Sequence, residues 1–575
     1  MRVAGCRGVR AAGVVAALAG IAPIGAAGVQ AQATSYLDFD GLTDEIQAIA
    51  DGSGMASVES IATSPGGRDV WLLTIADPSD GPVEGRPGVL VVGNLEGDHV
   101  VGSHLVLEAA RYLVSGDADA SATLQDHVFY LVPRLNPDGA EAMFADVLGD
   151  RPTNGRPWDD DNDGRVDEDG PEDLNGDGVI TVMRVPDPLG DYLPHPDDPR
   201  LMVEADAAER QSGQYVLHWE GVDSDGDGFI NEDGPGGVDL NRNFQHEYPY
   251  YGAAAGPHMV SEPESRGLMD FVIAHRNIAA IVTFGHTDNL VTPPNNSGNL
   301  ADPSTLDLMA FADASNDDVF GVGVYAAGTA PGVDLRGAQP GRDNEPESGR
   351  RPATTVNRAD VEYFEAVSDL YRESTGIEQV GLNRRAEGAF FQYGYYQYGV
   401  PSFSTQGWAL PEVEEGDEEG GEEGVEGTDG EVLAALTGAG IDAFVEWTPF
   451  DHPDLGDVEI GGFRPYATTN PPADRLPDLG RAHGEFVVGL AGMLSRVSIV
   501  DTEVESHGGG LYTVTAQVAN TGYFPTAMQH GVVARAVDPL TVQIQVPPED
   551  VVTGDSKTSQ LSRLEGSGTR ERFTW

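Results

Sequence analysis

Gly93-Asn94-Leu95-Glu96-Gly97-Asp98-His99 is the stretch on which the reading of this chain turns. It follows Gly88-Val89-Leu90-Val91-Val92, an apolar run that predicts a buried parallel strand. Ser103 to Leu113 then repeats its apolar residues at helical spacing. A glycine-rich turn carrying Glu-x-x-His therefore stands at the carboxyl end of a central strand, where open α/β sheets place their ligands. Glu96 and His99 can share one metal ion, because carboxylate oxygen and imidazole nitrogen both suit zinc. Such a pair is weak on its own and takes its meaning from what lies downstream.

Working outward, Val70 to Ile75 and Val128 to Val132 read as strands, and Asp44 to Ala50 as a helix. The second strand runs into Pro133-Arg134-Leu135-Asn136-Pro137-Asp138-Gly139, a tight turn by its own chemistry, with Asp138 expected to shape it. Ile278 to Phe284 reads as a further buried strand ending at Gly285-His286-Thr287. Helices are predicted over Glu262 to His275, 301–325, 358–375 and about 474–496, and a short strand before Thr405. This alternation of strand and helix predicts an α/β domain over 34–495. From Val497 the texture changes to short alternating strands such as Leu511 to Val518. Residues 496–575 are therefore expected to form a small β-sandwich appendage, incomplete at Trp575.

The chain has 575 residues and a formal charge of -61, from 94 acidic against 33 basic residues. That argues against nucleic acid or an anionic membrane as a partner. Arg2, Arg7 and Arg10 precede an apolar stretch from Ala11 to about Val29, and Ala31-Gln32-Ala33 offers small residues for cleavage. Residues 1–33 thus read as a signal peptide, and the mature chain as secreted or periplasmic, without a membrane span. The only cysteine, Cys6, lies in that leader, which removes disulfides, thiol nucleophiles and thiolate ligands from the mature chain.

Residues 156–236 form an Asp-rich insertion. Asp159 to Pro171 and Asp223 to Pro235 share the pattern D-x-D-x-D-G-x-[VI]-x-E-D-G-P, and Asp173 to Ile180 carries its front half. Alternating oxygens before a glycine suit one hard cation, so calcium is expected on Asp159, Asp161 and Asp163, on Asp173, Asn175 and Asp177, and on Asp223, Asp225 and Asp227. Residues 412–430, a run of Glu, Gly and Asp, predict a solvated loop.

Four pieces stand in order: the Glu-x-x-His turn, Asn136-Pro137-Asp138-Gly139, Asp239-Leu240-Asn241-Arg242-Asn243-Phe244 and the strand-end His286. Together they resemble the zinc carboxypeptidase family (the funnelins) over roughly 35–495. The resemblance implies a mixed, mainly parallel sheet flanked by helices. It also implies one zinc on two histidines and a glutamate, with a place left for water. Matched position by position, the ligands fall on Glu96, His99 and His286. Asn241 and Arg242 fall on the pair that grips the substrate's terminal carboxylate, which a planar guanidinium suits. A second arginine, which polarises the scissile carbonyl, is matched by Arg151 or by Arg156. Two positions depart from the family. Its first site reads His-x-x-Glu, whereas this chain reads Glu96-x-x-His99. Its general-base glutamate falls on Gln406, whose amide takes no proton from water; losing a general base costs roughly 10²–10⁴-fold in rate.

Three functions follow as expectations. One is an exported metallocarboxypeptidase-like hydrolase that removes C-terminal residues from peptides. The second is an impaired relative that binds C-terminal carboxylates without cleavage. The third is a calcium-dependent adhesion or matrix protein.

Overall fold

A computed structural model describes residues 36–158, 164–295, 353–410 and 429–575, apart from Glu168, Asp197, Ala207, Glu209, Asp227, Phe229, 232–235 and Leu382. The leader, the expected helix at 301–325, most of the acidic loop at 412–430, and Asp159, Asp161, Asp163 and Asp227 lie outside the described residues.

Six strands build the main sheet: β1 (Ala56–Thr63), β2 (Asp69–Ile75), β3 (Gly88–Gly93), β4 (Val128–Val132), β5 (Ile278–Phe284) and β6 (Ser402–Thr405). Their order is β1-β2-β4-β3-β5-β6. The pairs β4/β3, β3/β5 and β5/β6 are parallel, while β1/β2 and β2/β4 are antiparallel. The sheet is therefore mixed and mainly parallel, as expected. Every residue of β3 is buried, because helices cover both faces and leave no reason for polar alternation.

The helices are α1 (Phe39–Gly52), α2 (Val100–Val114), α3 (Ala118–Asp126), α4 (Pro263–Ala274), α5 (Val361–Thr375) and α6 (Leu476–Met493). On one face, Val89, Val91, Phe129 and Leu131 join residues of α1, α2, α5 and α6 in a single core. On the other, Leu90, Val92, Tyr130 and Val132 meet Leu268, Met269 and Val272 of α4. The alternation along β3 thus feeds two cores, which fixes its register: a one-residue slip would exchange them.

Helix α2 starts three residues earlier than its apolar spacing predicts. The N-cap residue, His99, gives no side-chain cap. The Val101 N–H instead donates to Asn470 Oδ1 at 2.8 Å, so the helix is capped from 369 positions away.

The insertion joins residues 444–463 in a second, wholly antiparallel sheet absent from the sequence-based expectations. Its strands, in spatial order, are Phe444–His452, Gly456–Phe463, Val182–Pro186, Tyr215–Trp219, Tyr192–Pro194 and Met202–Glu204. Its small core centres on Met183, Val458 and Ile460. Past α6, Val497–Gly508, Leu511–Asn520 and Thr569–Thr574 form a three-stranded antiparallel sheet, and Leu540–Gln543 pairs with Thr558–Leu561. Val518, Val542, Leu564 and Phe573 form the core between these small sheets.

Candidate functional site

The turn after β3 is built by its own residues. Asn94 adopts a left-handed φ of 53°, and its amide donates to the carbonyls of Glu96 at 2.9 Å and Gly97 at 3.2 Å. Gly97 is required by close approach: a Cβ there would stand 2.4 Å from the Arg151 carbonyl oxygen and 2.6 Å from Gly139 Cα. The Asp98 carbonyl accepts from Asn470 Nδ2 at 2.7 Å and from the Thr469 hydroxyl at 3.1 Å. The result is a rigid turn with Glu96, Asp98 and His99 all buried.

His286 enters from the end of β5, and its Nε2 lies 2.9 Å from Asp98 Oδ1. The His99 and His286 rings meet edge to face with centroids 5.0 Å apart. The His99 Nε2 stands 3.0 Å from the Gln406 carbonyl oxygen, so that nitrogen carries the proton and donates. Glu96 Oε1 accepts from Asn241 Nδ2 at 2.9 Å and from the His286 N–H at 3.2 Å. Among the candidate ligands, two buried atoms have no hydrogen-bond partner, Glu96 Oε2 and His99 Nδ1.

Charge in the site is uneven. Burial works to raise the Asp98 carboxyl, but the His286 charge and hydrogen bond and the Arg384 guanidinium outweigh it and hold it at about 2. Burial, reinforced by His286, pushes His99 down to about 3 and keeps it neutral. His286 is raised: burial opposes its charge, and Asp98 more than restores it. Asp239, also buried, is pushed well above the usual carboxylate range, first by burial and then by Glu96. Arg384 faces this group with Nη2 3.5 Å from Asp98 Oδ2.

Comparison with known proteins matches residues 42–177 to the family model for zinc carboxypeptidases. Over those residues the chain is similar to the zinc carboxypeptidase family. Mouse (Mus musculus) carboxypeptidase M is 30% identical over 112 residues, which are 19% of this chain and 25% of that protein. Mouse carboxypeptidase D is 34% identical over 114 residues, 17% of this chain and 8% of that protein. The chain thus spans a quarter or less of the length of these relatives. Among solved structures, bovine thrombin-activatable fibrinolysis inhibitor, in complex with tick carboxypeptidase inhibitor, aligns at a TM-score of 0.37 and 11% identity, over 79% of this chain and 96% of that one. Residues 496–575 match a family model described only as a domain of unknown function.

A zinc carboxypeptidase implies a metal, and the donor atoms test whether these residues fit one. Glu96, His99 and His286 are brought side by side, but their donors do not face a common point. Among the described residues no group of three or more His, Cys, Asp or Glu is arranged to hold a metal. His286 Nε2 is taken by Asp98, His99 Nε2 by Gln406, and Glu96 Oε1 by Asn241. The physical reason is the exchanged order at 96 and 99. A longer, acceptor-only side chain stands where the family has an imidazole, and it finds amide donors in place of a cation. It also faces a second carboxylate, Asp239. As found, the site does not fit the family's zinc.

The other expected residues divide. Asn241 adjoins the site, but its amide is spent at both ends, on Glu96 and on the Phe390 N–H, which donates to Oδ1 at 3.1 Å. Arg242 gives one guanidinium nitrogen to the Ala253 carbonyl at 2.8 Å and is half-buried. Arg151 reaches the Asn154 carbonyl at 3.1 Å, with its Nε buried and unbonded. Arg156 is drawn off by Glu262 at 2.8 Å. Asp138 does not shape its own turn: it accepts from the Ser64 hydroxyl, the Gly66 N–H and Arg68, pinning the β1–β2 hairpin.

In the acidic loops, Asp173 accepts from the backbone of Gly176, Asp177 and Gly178, Asp177 from Val179, and Asp223 from Gly226 and Gly228. Asn175 Oδ1 accepts from the Asp177 N–H. Asp225 is exposed. These oxygens close their own turns, and the described residues give calcium no support. Sequence reasoning missed Arg384 and Asp239 as members of the site. Asp239 could have been found, since it opens the Asp-Leu-Asn-Arg motif; Arg384 carries no local signal.

Proposed function

We propose that this chain recognises the C-terminal ends of peptides on a carboxypeptidase scaffold, in a centre that does not run the family's zinc-assisted hydrolysis. One observation carries the reading: the three candidate ligands lie together, but one ligand atom of each, His286 Nε2, His99 Nε2 and Glu96 Oε1, is held by Asp98, Gln406 and Asn241, and the general-base position is an amide. Arg242 is the group for a terminal carboxylate. A guanidinium has five N–H donors, and one nitrogen of Arg242 is committed to Ala253. Export behind a leader at 1–33 belongs to the same reading. Among the described residues no helix is long and apolar enough to cross a membrane.

The family match at 42–177 favours a second reading, a competent hydrolase that removes C-terminal residues. One experiment separates them. The full chain is titrated with a peptide bearing a free C-terminal carboxylate and with its C-terminal amide, with and without added zinc, while released amino acid is measured. Binding is expected for the acid form alone, weakened roughly 10–100-fold by Arg242→Ala, with no release. Zinc-dependent release of the terminal residue establishes the hydrolase instead, and equal binding of the amide sinks the carboxylate reading.

A further inference from the structure

Arg384 Nη2 lies 3.5 Å from Asp98 Oδ2, and the carboxyl groups of Glu96, Asp150 and Asp239 also act on this guanidinium. Burial works against the charge of Arg384, and Asp98, Glu96, Asp239 and Asp150, in that order, hold it on. The side chain is delivered by backbone: the Arg384 N–H donates to the His286 carbonyl at 2.9 Å, so the residue is stapled to the end of β5. Four residues on, Gly388 is tied on both sides, its N–H to the His246 carbonyl and its carbonyl to the Phe244 N–H, each at 2.9 Å. The segment that carries Arg384 is thus fixed against the Asp239–Phe244 stretch as well as against β5.

We infer that Arg384 is the resident cation of this centre: it answers the carboxylates that a metal answers elsewhere in the family, and so keeps a divalent ion out. The inference deepens the observed misfit to zinc and does not depend on peptide binding. Two features support it beyond position. Glu96 Oε2 and His99 Nδ1 are buried without a hydrogen-bond partner, yet among the described residues no three ligands are arranged around a common point. Asp98, which could have added an oxygen, is already shared, with Oδ1 at His286 and Oδ2 at Arg384. A divalent ion entering here has to displace a guanidinium and break that pair, and it meets like charge until it does. A bland surface ion pair differs in what it predicts, because its removal leaves metal affinity unchanged.

The test is zinc titration of the full chain by calorimetry and native mass spectrometry, with the folded state checked by circular dichroism. Wild type and His286→Ala are expected to give the same isotherm, any zinc taken up lying on the acidic insertion. Arg384→Met is expected to gain one zinc per chain, held at least about 100-fold more tightly than at that site in wild type. The gain should vanish when His286→Ala is added, and Arg384→Lys, which keeps the charge, should behave as wild type. Should Arg384→Met fail to fold, Arg384→Gln, similar in length and still a hydrogen-bond donor, makes the same measurement. The inference is overturned if wild type binds one zinc that His286→Ala abolishes, or if the folded neutral variant gains none. Either result leaves the peptide-binding titration to be judged separately.

Discussion

Two acidic turns of this molecule, Glu96 to His99 and Asp173 to Asp177, look alike in composition and use their carboxylates in opposite ways. In the first, the oxygens are buried and face other side chains: His286, Arg384, Asn241 and, across a like-charge contact, Asp239. In the second they lie near solvent and accept from the N–H groups of their own loop. A carboxylate closed on its own backbone shapes a turn and asks for nothing else. One held among distant side chains couples segments far apart in sequence, and its removal is felt by all of them.

The largest expected effect follows directly. Asp98→Asn removes the charge shared by His286 and Arg384 and is expected to cost roughly 3 kcal/mol in urea unfolding. Asp173→Asn is expected to cost less than about 1 kcal/mol. Equal losses would erase the contrast. Next come the glycines. A Cβ on Gly93 would stand 2.3 Å from the Gly102 carbonyl oxygen, with backbone on both sides, so Gly93→Ala is expected to cost about 3 kcal/mol. Gly176 has a φ of 74° and open space around it, so Gly176→Ala carries only the left-handed penalty of about 1 kcal/mol. Thermal unfolding of the two variants measures the difference.

The root of the acidic insertion sharpens the comparison through pH. Asn154 bonds Glu262 and Glu264 of the α4 N-terminus and accepts from the Val238 N–H, clamping both ends of the insertion. Burial pushes Glu264 up to about 8. Its folded value lies above its unfolded one, so the stability it contributes is full below about pH 4.5 and is lost as pH rises through about 8. Urea midpoints at pH 5, 7 and 9 should fall in that order, and Glu264→Gln should flatten the trend. An unchanged slope in Glu264→Gln would exclude this residue as its source. The smallest effect is expected from calcium. Chelation should move the melting temperature by less than about 2 °C, since the described loop oxygens are satisfied by backbone; a larger drop would break the contrast from the other side.

The main sheet was legible because its strands are buried on both faces and read as unbroken apolar runs, as at Gly88 to Val92. The second sheet was not: Val182–Pro186 and Tyr215–Trp219 are five residues each and mostly half-buried, too short and too mixed to stand out. At the site, sequence could name Glu96, His99 and His286, because each follows a strand or sits in a motif. It could not say that their ligand atoms would turn to Asn241, Gln406 and Asp98, since those bonds join residues 145, 307 and 188 positions apart. Arg384 stayed invisible for the same reason.

The cap on α2 has a kinetic consequence. Val101 and Asn470 are 369 positions apart, and at roughly 5–20 residues per second the second follows the first off the ribosome by roughly 20–70 s. Throughout that interval the turn bearing Glu96 and His99 lacks its distal anchor. The centre is therefore a late product of assembly, finished only when Asn470, just ahead of the last helix of the α/β body, arrives, and a nascent chain truncated before Asn470 carries the scaffold without a completed site.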